Sequence, residues 1–472
     1  MPVHPIESRY GSDELRRVFS EENKVAKMLE VEAALVRALS EVFDFVPKEA
    51  ADEVERVVEE ITGDEGELRR FVERVKEIEA EIKHDVMALV KALSERCEVG
   101  GDYVHLGATS NDVIDTAHAL VLREALSIIY RRLHRLAEVL AERAEEYADL
   151  PMVGRTHGQH AVPTTLGMKF AIWAREIVRH LKRLRECADR VLVGQLSGAV
   201  GTMAALGEKG PEVQRRVMEL LNLRPVTVSN QVIQRDRYAE LIALLALIGS
   251  TLDKIGREIR NLQRTEIREV EEPFDPKKQV GSSTMPHKRN PIRSERVCSL
   301  ARVLRSNVQV ALENVPLEHE RDLTNSASER VILPEQFLLL DEMLRLTIHN
   351  LEGLRVYEEN IRENLRLTNG LNMAEALMVE LVKRGMGRQE AHELVRRLAM
   401  RAWEEGRDFA EVVKEEERIR ELFKGEELEE VLNPEKYLGV APDLARGAAE
   451  KTRRDLEEID REMKEVLSVG AG

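Results

Sequence analysis

The chain has 472 residues, 43% hydrophobic and 33% charged, enough to bury a large core and to make three domains at about 150 residues each. Glycine (27), proline (15) and aromatic residues (4%) are scarce, which argues against sandwiches, barrels and turn-rich repeats and for long helices. Lys+Arg 71 against Asp+Glu 87 gives a net charge of −16, which repels phosphate backbones and argues against broad nucleic-acid binding.

The first fifteen residues, MPVHPIESRYGSDEL, hold no apolar segment and do not read as a secretory leader. Three cysteines (Cys97, Cys187, Cys298) stand far apart without CxxC spacing, so a reduced, cytoplasmic protein without disulfides or zinc is expected. The stretch to residue 109 is strongly charged, above all between Glu53 and Glu81. His84 lies off the apolar stripe Ile78, Ile82, Val86, Leu89, and by default belongs to an exposed polar face. In LGATSNDVIDTA (106–117), Thr109 and Ser110 start a helix that runs to about Tyr147. Free amides and the dipole favour an anion there, although Ser110 or Asn111 as a plain N-cap is by itself the commoner explanation of such a segment.

GRTHGQH (154–160) sits between Pro151 and Pro163 at a helix–helix junction, where Thr156 and Gln159 flank His157. Lone loop histidines are more often structural than catalytic. A helix is expected from about Leu166 to Val193, and another over Asp236–Glu272. In the second, Tyr238, Leu241, Leu245, Ile248, Leu252, Ile255, Ile259 and Leu262 alternate steps of three and four, as in a helical bundle. Ile242, Leu244 and Leu247 are apolar on its other faces, which predicts burial all round and a homo-oligomer. The longest apolar run, Leu241 to Gly249, is too short to span a bilayer.

PFDPKKQVGSSTMPHKRNP (273–291) then breaks the pattern. Long loops of this kind are often binding segments, and it gathers His287, Lys288, Arg289 and Asn290 ahead of Arg293 and Arg296. A small anionic ligand and a solvated connector explain it about equally well. Beyond residue 360 the helical character continues, with the solvated charge run KEEERIRELFKGEELEE (414–430). The expected domains are 1–109, 110–360 and 361–472.

Taken together, the interrupting segments carry a resemblance. GSSTMPHKRNP (281–291) resembles the GSSxMPxKxNP signature loop of the fumarase/aspartase superfamily. ESRY (7–10), KHDV (83–86), TSND…DTA (109–117), GRTHGQ (154–159), QRDRY (234–238) and PLEHERDLTNSASER (316–330) follow in that superfamily's order. They are most similar to the branch that releases fumarate from succinylated purine nucleotides. The resemblance implies an all-α protein of three helical domains around a long-helix bundle, forming a twenty-helix core in a homotetramer whose active sites are shared between subunits. It implies β-elimination on a small nucleotide, with no metal or organic cofactor and no nucleic-acid or membrane partner.

Residue by residue, Ser282 resembles the base and His157 the general acid. His84 assists in binding or orients the acid's site, and Glu295 bonds the acid–base machinery. Lys288, Asn290 and Ser283 resemble ligands of the succinyl carboxylate, with Thr109 and Ser110 adding helix N-terminal donors. Arg9, Tyr10, Arg321, Ser326 and Arg330 match nucleotide and phosphate positions. Lys83, Asp85, Thr156, Gln234 and Arg289 match further substrate contacts. A serine is a poor base unless its alkoxide is stabilised, for which Lys288 and backbone amides are the candidates. An imidazole titrating near neutrality suits donation to nitrogen. Two alternatives stand beside this reading: another lyase of the superfamily (a carboxymuconate cycloisomerase or an argininosuccinate lyase), and a non-enzymatic helical scaffold.

Overall fold

The computed structural model describes residues 3–275, 284–285 and 287–467, and helices dominate it. Helices α1 (Asp13–Val18) and α2 (Glu21–Val42) each start behind a serine, Ser12 or Ser20, whose hydroxyl accepts an amide of the first turn. Helices α3 (Lys48–Thr62), α4 (Glu65–Ile82) and α5 (Asp85–Ser94) follow. KHDV is the corner between the last two. Lys83 ends α4 in the left-handed region, and His84 caps α5 by accepting the Met87 amide at 3.3 Å. His84 is therefore a cap rather than a point on a helix face, though it is exposed as expected.

The long helices are α6 (Ser110–Glu146), α7 (Leu166–Val191), α9 (Asp236–Leu262), α10 (Ile292–Glu313) and α11 (Ser326–Glu352), with the short α8 (Gly210–Leu220) between α7 and α9. The N-cap of α6 is Thr109, not Ser110 or Asn111. Asp112 folds back to accept the Thr109 amide at 2.9 Å in a capping box, so the two residues between are already helical. Helix α9 stops at Leu262, ten residues short of Glu272. Its apolar period ends there, Arg268 turns left-handed, and Val270–Glu271 pairs instead with Arg355–Val356.

The α6–α7 junction is a β-hairpin of β1 (Pro151–Thr156) and β2 (Gln159–Thr165). Its two-residue turn is His157–Gly158, both at positive φ, the geometry that matches strand twist. Gly167 lets α7 leave this hairpin hard against α6, since a Cβ there would lie 2.5 Å from the Ala144 carbonyl oxygen.

Apolar side chains form three main clusters. Helices α2–α5 pack with the first turns of α6 and with α8. Helices α6, α7, α9, α10 and α11 form the bundle. Residues 373–432, on α13 (Ala374–Lys383), α14 (Arg388–Glu405), α15 (Phe409–Glu415), α16 (Glu417–Leu422) and α17 (Glu427–Val431), pack on each other behind α12 (Glu358–Arg366). The last helix, α18 (Ala441–Leu467), returns to the bundle, where Asp455 meets Arg175 of α7 and Asp460 meets Tyr130 of α6. On the α9 face expected to be buried all round, Ile242 and Leu244 are buried but Leu247 is 47% exposed in the single chain.

Candidate active site

The expected site residues fall at two ends of the bundle. At the start of α6, Thr109 and Ser110 lie beside a network of buried acids. Asp112 accepts the amides of Ser197 (2.9 Å) and Gly198 (3.0 Å). Burial pushes its pKa up against the lowering pull of those amides and the Thr109 amide. Asp115 accepts the Ile233 amide (2.9 Å) and two nitrogens of Arg235 (2.7 and 2.9 Å), and the Nε of Arg235 reaches Glu329 at 2.9 Å. All three ionic groups are buried. The network ties the first turns of α6, the loop before α9 and the first turn of α11 into one unit.

That unit carries several predicted residues. Gln234 donates to Asn230 at 3.1 Å, and Arg321 donates to Gln231 at 3.0 Å. Ser326 begins α11, and Arg330 meets Asp85 at 3.3 Å, which brings Lys83 and His84 to the same edge.

At the other end, Thr156 and His157 occupy the hairpin. Behind them Arg155 makes a bidentate pair with the buried Glu269, at 3.0 and 2.6 Å. The chain leading to α10 sits at this end too. Arg289 pairs with Glu271 at 2.8 Å and stacks over Phe274, and Gln263 holds its carbonyl at 3.2 Å. Glu272 caps α10 by accepting the amides of Arg293 (3.2 Å) and Ser294 (2.6 Å). Exposed Lys288, half-buried Asn290 and exposed Glu295 flank this clamp. Tyr10 lies along the bundle between Arg9 and Arg296, whose guanidiniums stand 6.0 and 5.8 Å from its ring. Ser282 and Ser283 lie outside the described residues.

The structure thus joins Asp85 to Arg330 and places Thr109, Gln234 and Arg321 near them, but within one chain it keeps His157 and Lys288 away. The 37 residues of α6 separate the two ends by roughly 55 Å. Sequence reasoning missed Asp112, Asp115, Arg235 and Glu329. Asp112 and Asp115 left one trace, two acids among the apolar positions of a long helix. Nothing in QRDRY separates buried Arg235 from half-buried Arg237. Among the described residues no group of three or more His, Cys, Asp or Glu side chains is placed to hold a metal ion, and no helix is long and apolar enough to cross a membrane.

Two family models match the chain: Lyase over residues 8–305 and Adenylosuccinate lyase C-terminus over residues 370–459. The chain is 57% identical to the adenylosuccinate lyase of Pyrococcus abyssi over 98% of its own length and 99% of the relative's. To that of Methanocaldococcus jannaschii it is 54% identical, over 94% and 95%. A fumarate lyase from Mesorhizobium superposes with a TM-score of 0.85 at 32% identity, covering 95% of this chain and 100% of that one. A 3-carboxy-cis,cis-muconate lactonizing enzyme from Pseudomonas putida does so at 0.85 and 36% identity, covering 95% and 99%. Fold and similarity define a lyase of the fumarase/aspartase superfamily. Within that class the chain belongs to the adenylosuccinate lyase family.

Proposed function

We propose that the chain eliminates fumarate from adenylosuccinate to give AMP, and performs the same elimination on succinyl-aminoimidazole-carboxamide ribotide in purine biosynthesis. The observation that carries the reading is full-length identity of 57% to an adenylosuccinate lyase, above the 36% to the muconate enzyme. In this proposal the Ser282 alkoxide removes the proton beside a succinyl carboxylate. The electron pair forms the new C=C bond as the C–N bond breaks, and His157 protonates the departing nitrogen. Lys288, Asn290 and Ser283 stabilise the extra negative charge on the carboxylate, and Glu295 positions the acid–base pair. Thr109 and Ser110 offer the open end of α6 to a carboxylate. Arg9, Tyr10, Arg321, Ser326 and Arg330 hold the nucleotide and its phosphate, for which the guanidinium fork suits the geometry. Lys83, His84, Asp85, Thr156, Gln234 and Arg289 complete the substrate contacts.

The same proposal includes a homotetramer with active sites shared between subunits, in a cytoplasmic setting. The separation along α6 supports it, because residues at opposite ends of one bundle meet only when chains lie antiparallel. Exposed apolar side chains on the bundle helices support it too: Ile172 (51%), Leu247 (47%), Leu312 (53%) and Val331 (60%). The direct test is turnover of adenylosuccinate, followed as falling ultraviolet absorbance with fumarate released. No turnover, with activity on argininosuccinate or a carboxymuconate instead, would assign the chain to a different lyase.

A further inference from the structure

A cavity of about 280 Å³ opens where α2, α6 and α11 meet, walled by Phe19, Val121, Leu122 and Leu333. Five ionisable side chains reach it: Glu21, Lys24, His118, Glu329 and Arg330. Both acids have a cationic partner, Glu21 in Lys76 at 2.5 Å and Glu329 in Arg235 at 2.9 Å, the latter shared with Asp115. The nitrogen bases are less well served. Among the described residues no carboxylate comes within 4.0 Å of the Lys24 ammonium. The Nδ1 of His118 is buried and, among the described residues, has no hydrogen-bond partner. Arg330 reaches one carboxylate, Asp85 at 3.3 Å.

We infer that Lys24 is a further phosphate ligand, its ammonium acting with the His118 imidazole behind it and the Arg330 guanidinium beside it. The inference rests on the proposed placement of the nucleotide's phosphate against Arg330. Two cations held together repel unless a dianion joins them, and apolar walls strengthen the attraction when it does. The unliganded protein shows the imbalance. Burial, followed by the field of Arg330, lowers the pKa of Lys24. Burial also holds His118 down to about 4, so near neutrality it offers a hydrogen bond without adding charge. Pro334, inside α11 four residues after Arg330, lines the same cavity and leaves that turn without its amide donor.

The test compares inhibition by AMP and by adenosine, which differ by the phosphate alone, in the full enzyme turning over adenylosuccinate. Lys24→Met is expected to weaken AMP by about tenfold, the scale of one charge-assisted contact, and to raise the KM for adenylosuccinate. Adenosine should inhibit as before, and Lys24→Arg should recover most of the AMP affinity. Equal weakening of AMP and adenosine, or none of AMP, overturns the inference. If Lys24→Met does not fold, Lys24→Gln makes the same comparison. A wild-type enzyme inactive on adenylosuccinate defeats the parent reading as well, and the wild-type arm alone reveals that.

Discussion

The Nδ1 of His105 lies 2.7 Å from a carboxylate oxygen of Glu32, a fully buried acid on α2 that also accepts the His105 amide at 3.0 Å. Burial works against the imidazolium, but the hydrogen bond and charge of Glu32 outweigh it and raise the pKa above its ordinary 6.5. A raised folded-state pKa means that the pair's stabilisation is complete below about 6.5 and is lost as pH climbs through the folded value. Thermal unfolding from pH 5.5 to 9 should therefore show a decline that is shallower in His105→Asn. Parallel profiles for the two proteins would show that the pair does not titrate in this range.

Among the described residues Arg235 is the one cation paired with the buried Asp115 and Glu329. Arg235→Met should cost about 3–5 kcal/mol, because Asp115 and Glu329 would remain buried with like charge. Denaturant unfolding measures this. A loss under about 1 kcal/mol would mean that water or protonation compensates the acids.

Ser282→Ala and His157→Ala should each lower turnover by about 10²–10⁴ with helicity retained, the scale of a lost proton-transfer group. In the proposed tetramer each active site is shared between subunits, so if Ser282 and His157 reach one site from different chains, mixing the two inactive proteins under subunit exchange should restore part of the activity. Circular dichroism and a mixed-oligomer assay provide the controls. Demonstrated hybrids that stay inactive would place both residues in one chain's site.

Gly167→Ala tests the α6–α7 packing. The added Cβ would meet backbone atoms of Ala144 and Ala148 at 2.5–2.6 Å, and backbone cannot rotate away as a side chain can. Overpacking of this kind should cost about 1–3 kcal/mol in denaturant unfolding. The exposed Gly447→Ala in α18, with nothing near its Cβ, should be neutral or mildly stabilising.

How far the sequence reached follows from what each signal depends on. The long helices were legible because apolar spacing reports one buried stripe, and it located α6 and α9 within a residue at their starts. Ends were less legible. The stop of α9 at Leu262 depends on Val270–Glu271 pairing with residues 355–356, a partner some eighty positions away. The hairpin at His157 was hidden because GRTHGQH lacks the alternating apolar pattern of a strand. In the candidate site, polar residues in unusual loops stood out, whereas Arg235 and Asp115 did not. Their importance lies in pairing across 120 positions of chain.

In the proposed assembly the length of α6 also governs how the protein responds to dilution. A rigid rod of 37 residues fixes the distance between the two half-sites within one chain, and no local movement closes it. Folding and catalysis should consequently part company as concentration falls: each chain keeps its helices and its bundle core, while activity per chain declines with the population of assembled oligomer. Substrate, which bridges chains in the proposed assembly, should oppose that decline.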